Sequence, residues 1–306
     1  MYLAELLRSQ NHKVIGTSHQ WSGSLHLSQA GTSVTVEKID ITNPTEVNEL
    51  LAAYKPDAIY NLAARSSSTQ FFDDPLKITS INALPALHFL DAIHKNLPNT
   101  RFFQAASSEM FAGTDTSPQN ERVKLAPLNA YGAAKAFAMH LCSAYRSRHN
   151  IFACTAILFN HESPRRGIDY VTRKITKSVA EISLGLRTDL VLGNLESRRD
   201  WGHASDTVRA MWLMMQQDAP DDYVLATGKT HSVKEFCQIA FDHVGLDATK
   251  YIKTSIDSNR RPELIELCGD ARKAEEKLGW KPQVSFEQLV CEMMDADIAV
   301  LKSQKY

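Results

Sequence analysis

The sequence predicts a doubly wound α/β fold: a mostly parallel sheet with helices on both faces, joined to a smaller α/β unit. Three observations carry that prediction. Short apolar strands alternate with helical stretches over residues 13–158, a rhythm that calls for parallel strands linked by crossover helices. The predicted strand ends hold Asp40, Leu62-Ala63-Ala64, Ser107-Ser108-Glu109 and Phe159-Asn160-His161, and ligands bind beyond the carboxyl ends of such strands. After Asn160 the alternation loosens into turns rich in arginine, which suits a separate unit assembled from several returns of the chain.

Residues 2–7 have helical spacing with no cap in front, so the chain enters in mid-element. Residues 13–17 and the alternating 34–39 read as strands. Asn43-Pro44 starts a helix to Tyr54, with a capping side chain followed by proline at the first position. A buried strand at 58–62 and a helix over 76–94 follow, with a bend at Pro85. Then come a strand at 101–105, a helix from Tyr131 to Arg148 and a strand at 152–158. Further on, helices are expected over 170–184, 206–217, 232–243, 271–278 and 285–301, and a strand at 223–226.

At 306 residues the chain is long enough for one large domain or two ordinary ones. Its formal charge of −1 offers no basic field for nucleic acid or an anionic membrane. The 5 cysteines are odd in number, scattered and never spaced Cys-x-x-Cys, which fits reduced thiols, a cytoplasmic setting and no zinc site. No apolar run approaches the roughly 20 residues that span a bilayer, and Glu5 and Arg8 break up the apolar N-terminus.

Residues 104–135 hold the most chemistry. A strand ends in Ser107, Ser108 and Glu109, and a helix then begins with Tyr131 and carries Lys135 four residues on. Positions i and i+4 share a helix face, so phenol and ammonium reach one pocket. A neighbouring ammonium favours the phenolate and lowers the tyrosine pKa, making a base for an alcohol proton. A lone Tyr-x-x-x-Lys also fits an ordinary amphipathic helix; the strand-end hydroxyls in front of it favour chemistry.

These motifs resemble the extended short-chain dehydrogenase/reductase superfamily, and within it the GDP-mannose 4,6-dehydratases. The resemblance lies in 103–109, Ala130-Tyr131-Gly132-Ala133-Ala134-Lys135, and Asn160-His161-Glu162-Ser163-Pro164-Arg165-Arg166-Gly167, and extends to 171–176, 193–195, 199–204 and 269–280. It covers nearly the whole chain, and the 160–167 segment is close to family-specific. It implies a Rossmann-type domain over 1–162, with returns near 195–228, and a nucleotide-sugar domain over 163–194 and 229–306. It also implies conversion of GDP-mannose to GDP-4-dehydro-6-deoxy-mannose through NADP, with NAD left open, in a homodimer.

The roles implied follow the matching residues. Tyr131 takes the sugar 4-hydroxyl proton, Lys135 lowers its pKa and holds the ribose hydroxyls, and Glu109 takes the C5 proton. Ser107 stands where the family usually has threonine and keeps the hydroxyl near the 4-oxygen. Asp40 with Ile41 would meet adenine, and Leu62, Ala63, Ala64 and Ser66 would line the cofactor. His161 and Arg166 would touch its nicotinamide half, and Asn160, Lys174, Arg199 and Arg261 would bind the nucleotide sugar. Cations facing a diphosphate make charge-assisted bonds, bidentate for arginine. Each arginine taken alone also fits a solvated surface. A carboxylate at position 109 separates a dehydratase from an epimerase or reductase on the same scaffold, which needs no base for C5.

Three departures are visible. No Gly-x-x-Gly-x-x-Gly turn precedes Val14, although relatives seat the cofactor pyrophosphate there. A sheet without that first strand should expose apolar edges on both neighbours. A misplaced start or truncation, a deliberate fragment and a degenerate gene all account for it, and the intact site residues favour the first. An inactive homologue that binds only nucleotide sugar therefore stays an alternative. Ser18-His19-Gln20-Trp21 replaces arginines that suit a 2′-phosphate and help build tetramers, in a shorter region, so a tetramer stays open. Ile78 stands where tyrosine is common.

Overall fold

The structure is a computed structural model and describes residues 1–21, 23–26, 33–67, 74–255 and 265–304. The first half runs α1 (Tyr2–Ser9), β1 (Ile15–Ser18), β2 (Gly23–His26), β3 (Ser33–Lys38), α2 (Pro44–Tyr54), β4 (Ala58–Asn61), α3 (Pro75–Asn96), β5 (Arg101–Ala105), α4 (Ala130–His149) and β6 (Ala153–Leu158). The second half runs β7 (Asn160–Glu162), α5 (Val171–Ser183), β8 (Leu190–Leu192), β9 (Arg198–Arg199), β10 (Trp201–His203), α6 (Ala204–Met214), β11 (Asp222–Leu225), β12 (His231–Ser232), α7 (Val233–His243), β13 (Ile252–Thr254), α8 (Arg272–Leu278) and α9 (Phe286–Ser303).

Local chemistry explains most boundaries. Asn43 Oδ1 accepts the Thr45 N–H at the start of α2, and Lys55 ends that helix in the left-handed region at φ 42°. Asp74 caps α3, which continues through Pro85. Ser232 with Glu235 and Ser285 with Gln288 form reciprocal capping boxes on α7 and α9.

The central sheet has the order β11-β6-β5-β4, every pair parallel. A second sheet has the order β1-β3-β2, with β1 parallel and β2 antiparallel to β3. Among the described residues β1 and β4 do not pair with each other. Their edges are correspondingly wet. Every residue of β6 is buried, whereas Ile15 and Ile59 are only half-buried and Ala58 is exposed. The expected exposure of two apolar sheet edges is thus present, as a division into two sheets.

Apolar side chains fill both faces of the central sheet. Phe103, Cys154 and Leu225 pack under Met211, Met214 and Trp280, while Phe102 and Ala153 pack with Phe89, Leu90 and Ile93 of α3. Beyond β7, α5, α7 and α9 enclose another core containing Ile175, Leu190, Trp201, Phe236 and Met293. Trp201 stacks on Phe286 at 5.9 Å. No helix of the described residues is long and apolar enough to cross a membrane.

Candidate active site

The site grows from the place where β5 ends against the first turn of α4. Past Ala105 the chain enters a 3-10 turn at Ser108–Phe111, capped by Ser107, whose Oγ accepts the Glu109 N–H at 3.3 Å. Asn129 caps α4 by accepting the Gly132 N–H at 2.8 Å, and its Nδ2 donates to Glu109 Oε2 at 2.8 Å. Gly132 permits the contact between the two turns: a Cβ there would lie 2.7 Å from the Glu109 carbonyl oxygen. One turn into the helix, Lys135 Nζ donates to the Ala105 carbonyl at 2.9 Å. Tyr131 hydrogen-bonds Ser107. Ser107, Glu109 and Tyr131 are therefore connected, and Lys135 lies beside them, on the same face as Tyr131 as the i, i+4 spacing predicts.

The electrostatics differ from the sequence expectation. Burial pushes the Tyr131 phenol up to about 12, despite the Ser107 bond and the Arg166 charge, which both act to lower it. Burial also pushes Lys135 down to about 8. The Lys135 ammonium is 5.7 Å from the Tyr131 ring centroid and spends a hydrogen bond on backbone. In this closed pocket loss of water dominates over the neighbouring charge, and both groups are driven towards their neutral forms.

A second layer comes from β7 and the turn after it. His161 Nδ1 meets the Phe159 carbonyl at 3.0 Å, and burial lowers its pKa. Glu162 is buried and accepts from Thr172 Oγ1 at 2.7 Å. Arg166 Nε is 3.1 Å from Glu162 Oε2 without hydrogen-bond alignment, so that contact is Coulombic. The Arg166 guanidinium lies 3.5 Å over the Tyr170 ring, and Tyr170 Oη is 2.9 Å from Ser66 Oγ. Arg173 fixes the turn by donating to the Arg166 carbonyl at 3.0 Å while Asp297 of α9 grips its Nε at 2.9 and 3.0 Å. Ser66, His161 and Arg166 thus gather around the Tyr131 cluster.

Other expected residues lie outside that network. Asp40 Oδ1 accepts from the Thr42 N–H and Oγ1 at 2.9 and 2.7 Å, which holds its carboxyl below the usual range. The Ile41 carbonyl meets His88 of α3 at 3.0 Å. Leu62 is 43% exposed, and Ala63 and Ala64 beside it are exposed too. Asn160 pairs with Trp201 between β7 and β10. Lys174 donates to the Val191 carbonyl of β8 at 2.8 Å, and Arg199 to the Arg198 carbonyl at 2.6 Å. Arg261 lies outside the described residues. Ile78, the residue in the tyrosine position, is buried against Tyr131. A cavity of about 320 Å³ between Thr227, Gly269 and Trp280 includes none of these side chains.

Two participants escaped sequence reasoning. Asn129 is legible as a helix cap, but its bond to a carboxylate 20 residues earlier is not. Tyr170 carries no motif, and only the folded chain brings it between Arg166 and Ser66.

The donor set fits the nicotinamide–ribose end of a dinucleotide. It offers a buried ammonium and phenol at a strand end, a guanidinium with one buried N–H not hydrogen-bonded, and an exposed apolar stretch at the end of β4. Comparison with known proteins agrees with this geometry. The family model described as GDP-mannose 4,6 dehydratase matches residues 1–293. GDP-mannose 4,6 dehydratase 2 of Arabidopsis thaliana is 40% identical over 318 residues, spanning 99% of this chain and 85% of that one. The fold matches RMD from Pseudomonas aeruginosa complexed with NADPH, at TM-score 0.80, 20% identity and coverage of 97% and 96%. It also matches the UDP-glucose 4-epimerase of Thermotoga maritima with UDP-glucose, at TM-score 0.85, 20% identity and coverage of 98% and 95%. With a carboxylate, a phenol and an ammonium joined at one strand end and a family match running through all of them, this chain belongs to the GDP-mannose 4,6 dehydratase family.

Proposed function

We propose that this protein converts GDP-mannose to GDP-4-dehydro-6-deoxy-mannose, with NADP as its redox cofactor. The observation that carries the reading is the Glu109 carboxylate, held by Asn129 beside the hydrogen-bonded Ser107 and Tyr131, with Lys135 bound to the Ala105 carbonyl next to them. Alcohol oxidation at C4 needs one base; elimination across C5 and C6 needs another.

Tyr131 accepts the 4-hydroxyl proton, and Ser107, bonded to the same phenol, shares the resulting hydrogen-bond network near the 4-oxygen. NADP, when bound, supplies hydride transfer out of C4 and back to C6. The C4 ketone acidifies the C5 proton, which passes to Glu109. The C5–H electron pair becomes the C5–C6 double bond as the C6–O bond breaks. Glu109 returns its proton to the departing oxygen, so that water leaves; once hydride has come to C6, C5 takes a proton from solvent, and Tyr131 gives its proton back to solvent.

Lys135, His161 and Arg166 would hold the nicotinamide half, with Leu62, Ala63, Ala64 and Ser66 along the cofactor and Asp40 and Ile41 at the adenine. Asn160, Lys174, Arg199 and Arg261 would bind the nucleotide sugar. A division into 1–162 with returns near 195–228 for the cofactor and 163–194 with 229–306 for the sugar nucleotide is supported by the separate core around α5, α7 and α9, which also draws in Trp201 from the 195–228 return. A homodimer is proposed through α3 and α4, where Leu84 and Phe137 are 39% and 43% exposed. The 5 free thiols suit a reducing cytoplasm.

Glu109→Gln tests the reading. Product formation from GDP-mannose should fall by about 10³-fold, as for loss of a general base. Turnover within about twofold of wild type would instead indicate epimerase or reductase chemistry, which uses no base at C5.

A further inference from the structure

Asn129 does two things at once. Its Oδ1 caps α4, and its Nδ2 donates to Glu109 Oε2 at 2.8 Å. Serine or aspartate would serve the first purpose equally. The second requires a donor, which aspartate or a glycine cap lacks; the amide offers an acceptor and an N–H donor from one short side chain. The Glu109 main chain is already fixed, its N–H held by Ser107 and its carbonyl pressed against Gly132. Its side chain is only half-buried, so packing alone does not select its rotamer. Among the described hydrogen bonds the Asn129 amide is the group that grips the carboxylate.

We infer that Asn129 is the positioning residue of Glu109: by occupying Oε2 it fixes the carboxylate and leaves Oε1 to take the C5 proton. The inference rests on the dehydration reading above. A single cap residue thereby ties the two bases of the reaction together. The helix whose first turn carries Tyr131 starts from the same side chain that sets Glu109, so the phenol and the carboxylate keep a constant separation. Pre-set geometry of this kind is what proton transfer gains from a positioning residue.

The test is exchange of the C5 proton of GDP-4-dehydro-6-deoxy-mannose with solvent in D₂O, followed by proton NMR. That proton lies next to the 4-ketone. Glu109 removes it, the electron pair moves into the carbonyl as an enolate, and a deuteron returns from the exchanged carboxyl group. No electrons are transferred overall, so the assay runs with or without added NADP. Wild type should exchange and Glu109→Gln should not.

Asn129→Gly leaves a residue tolerated at the cap and loses the donor; it should exchange about tenfold more slowly at saturation, the loss of one hydrogen bond to a charged group. Half-saturation should stay within about twofold, and the melting temperature should stay close to wild type. Asn129→Asp, capped and without the donor, should be slowed at least as much and carries the test if the glycine variant folds poorly. Exchange at the wild-type rate in both variants overturns the role of Asn129 and leaves dehydration standing. A wild-type protein that does not exchange C5 overturns the dehydration reading, and this inference with it.

Discussion

The end of β5 and the edges of β1 and β4 belong to one fold but are built in opposite ways. Around β5 the polar groups are connected: Lys135 to Ala105, Asn129 to Glu109 and to Gly132, Ser107 to Glu109. The strands beneath are dry, with Ile157, Phe102 and Phe103 fully buried. At β1 and β4 the strands end their sheets, and Ile15, Ile59 and Tyr60 stay half-buried. The groups proposed to transfer protons are thus a local assembly. Their hydrogen bonds run within residues 104–135 and rest on the buried strands under them.

That contrast can be broken by truncating one side chain in each region. Ile157→Ala should cost about 4 kcal/mol, the cavity cost at a closed site, and Ile59→Ala only about 1 kcal/mol because its place already meets water. Equal costs in urea titration would mean that β4 is as well packed as β6.

Lys135 sharpens the comparison through pH. Its folded pKa of about 8 lies below the reference 10.5. Between those values the unfolded chain holds more protons, so stability rises with pH; the whole window amounts to about 3 kcal/mol. Lys135→Met lacks that rise, so it should be the more stable protein at pH 7 and lose its advantage towards pH 10. Tyr131 works the other way at higher pH. Its raised pKa of about 12 against 10 makes stability fall as pH climbs above 10, so denaturation measured from pH 7.5 to 10 isolates the lysine. Parallel stability curves for the two proteins would contradict the desolvated ammonium.

A smaller effect is expected at Gly132→Ala. Its methyl would stand 2.7 Å from a backbone oxygen, and relieving that clash should cost about 2 kcal/mol and move the turn that carries Glu109. A thermal melt unchanged from wild type would show that the two turns have room to part.

Legibility in the sequence follows how local each determinant is. α2 was readable to its ends because Asn43-Pro44 starts it, and β5 because an apolar run stops at two serines. The i, i+4 pair of Tyr131 and Lys135 needed only helical spacing. The short strands β7, β8, β9, β10, β12 and β13 have 2 or 3 residues each, too few to show a period. The Tyr131 pKa was misjudged because the ammonium is adjacent in sequence, while the burial that outweighs it comes from the tertiary fold. Arg173 and Asp297 lie 124 residues apart, and no pattern in the chain announces that pairing.

On the proposed mechanism Glu109 turns an alcohol-oxidising site into a dehydrating one. Incubating the protein with GDP-mannose and NADP in D₂O and taking a proton spectrum of the product tests it most directly. The expected product has a methyl group at C6, a ketone at C4 and deuterium at C5. A product that keeps its 6-hydroxyl, whether inverted or reduced at C4, would contradict it.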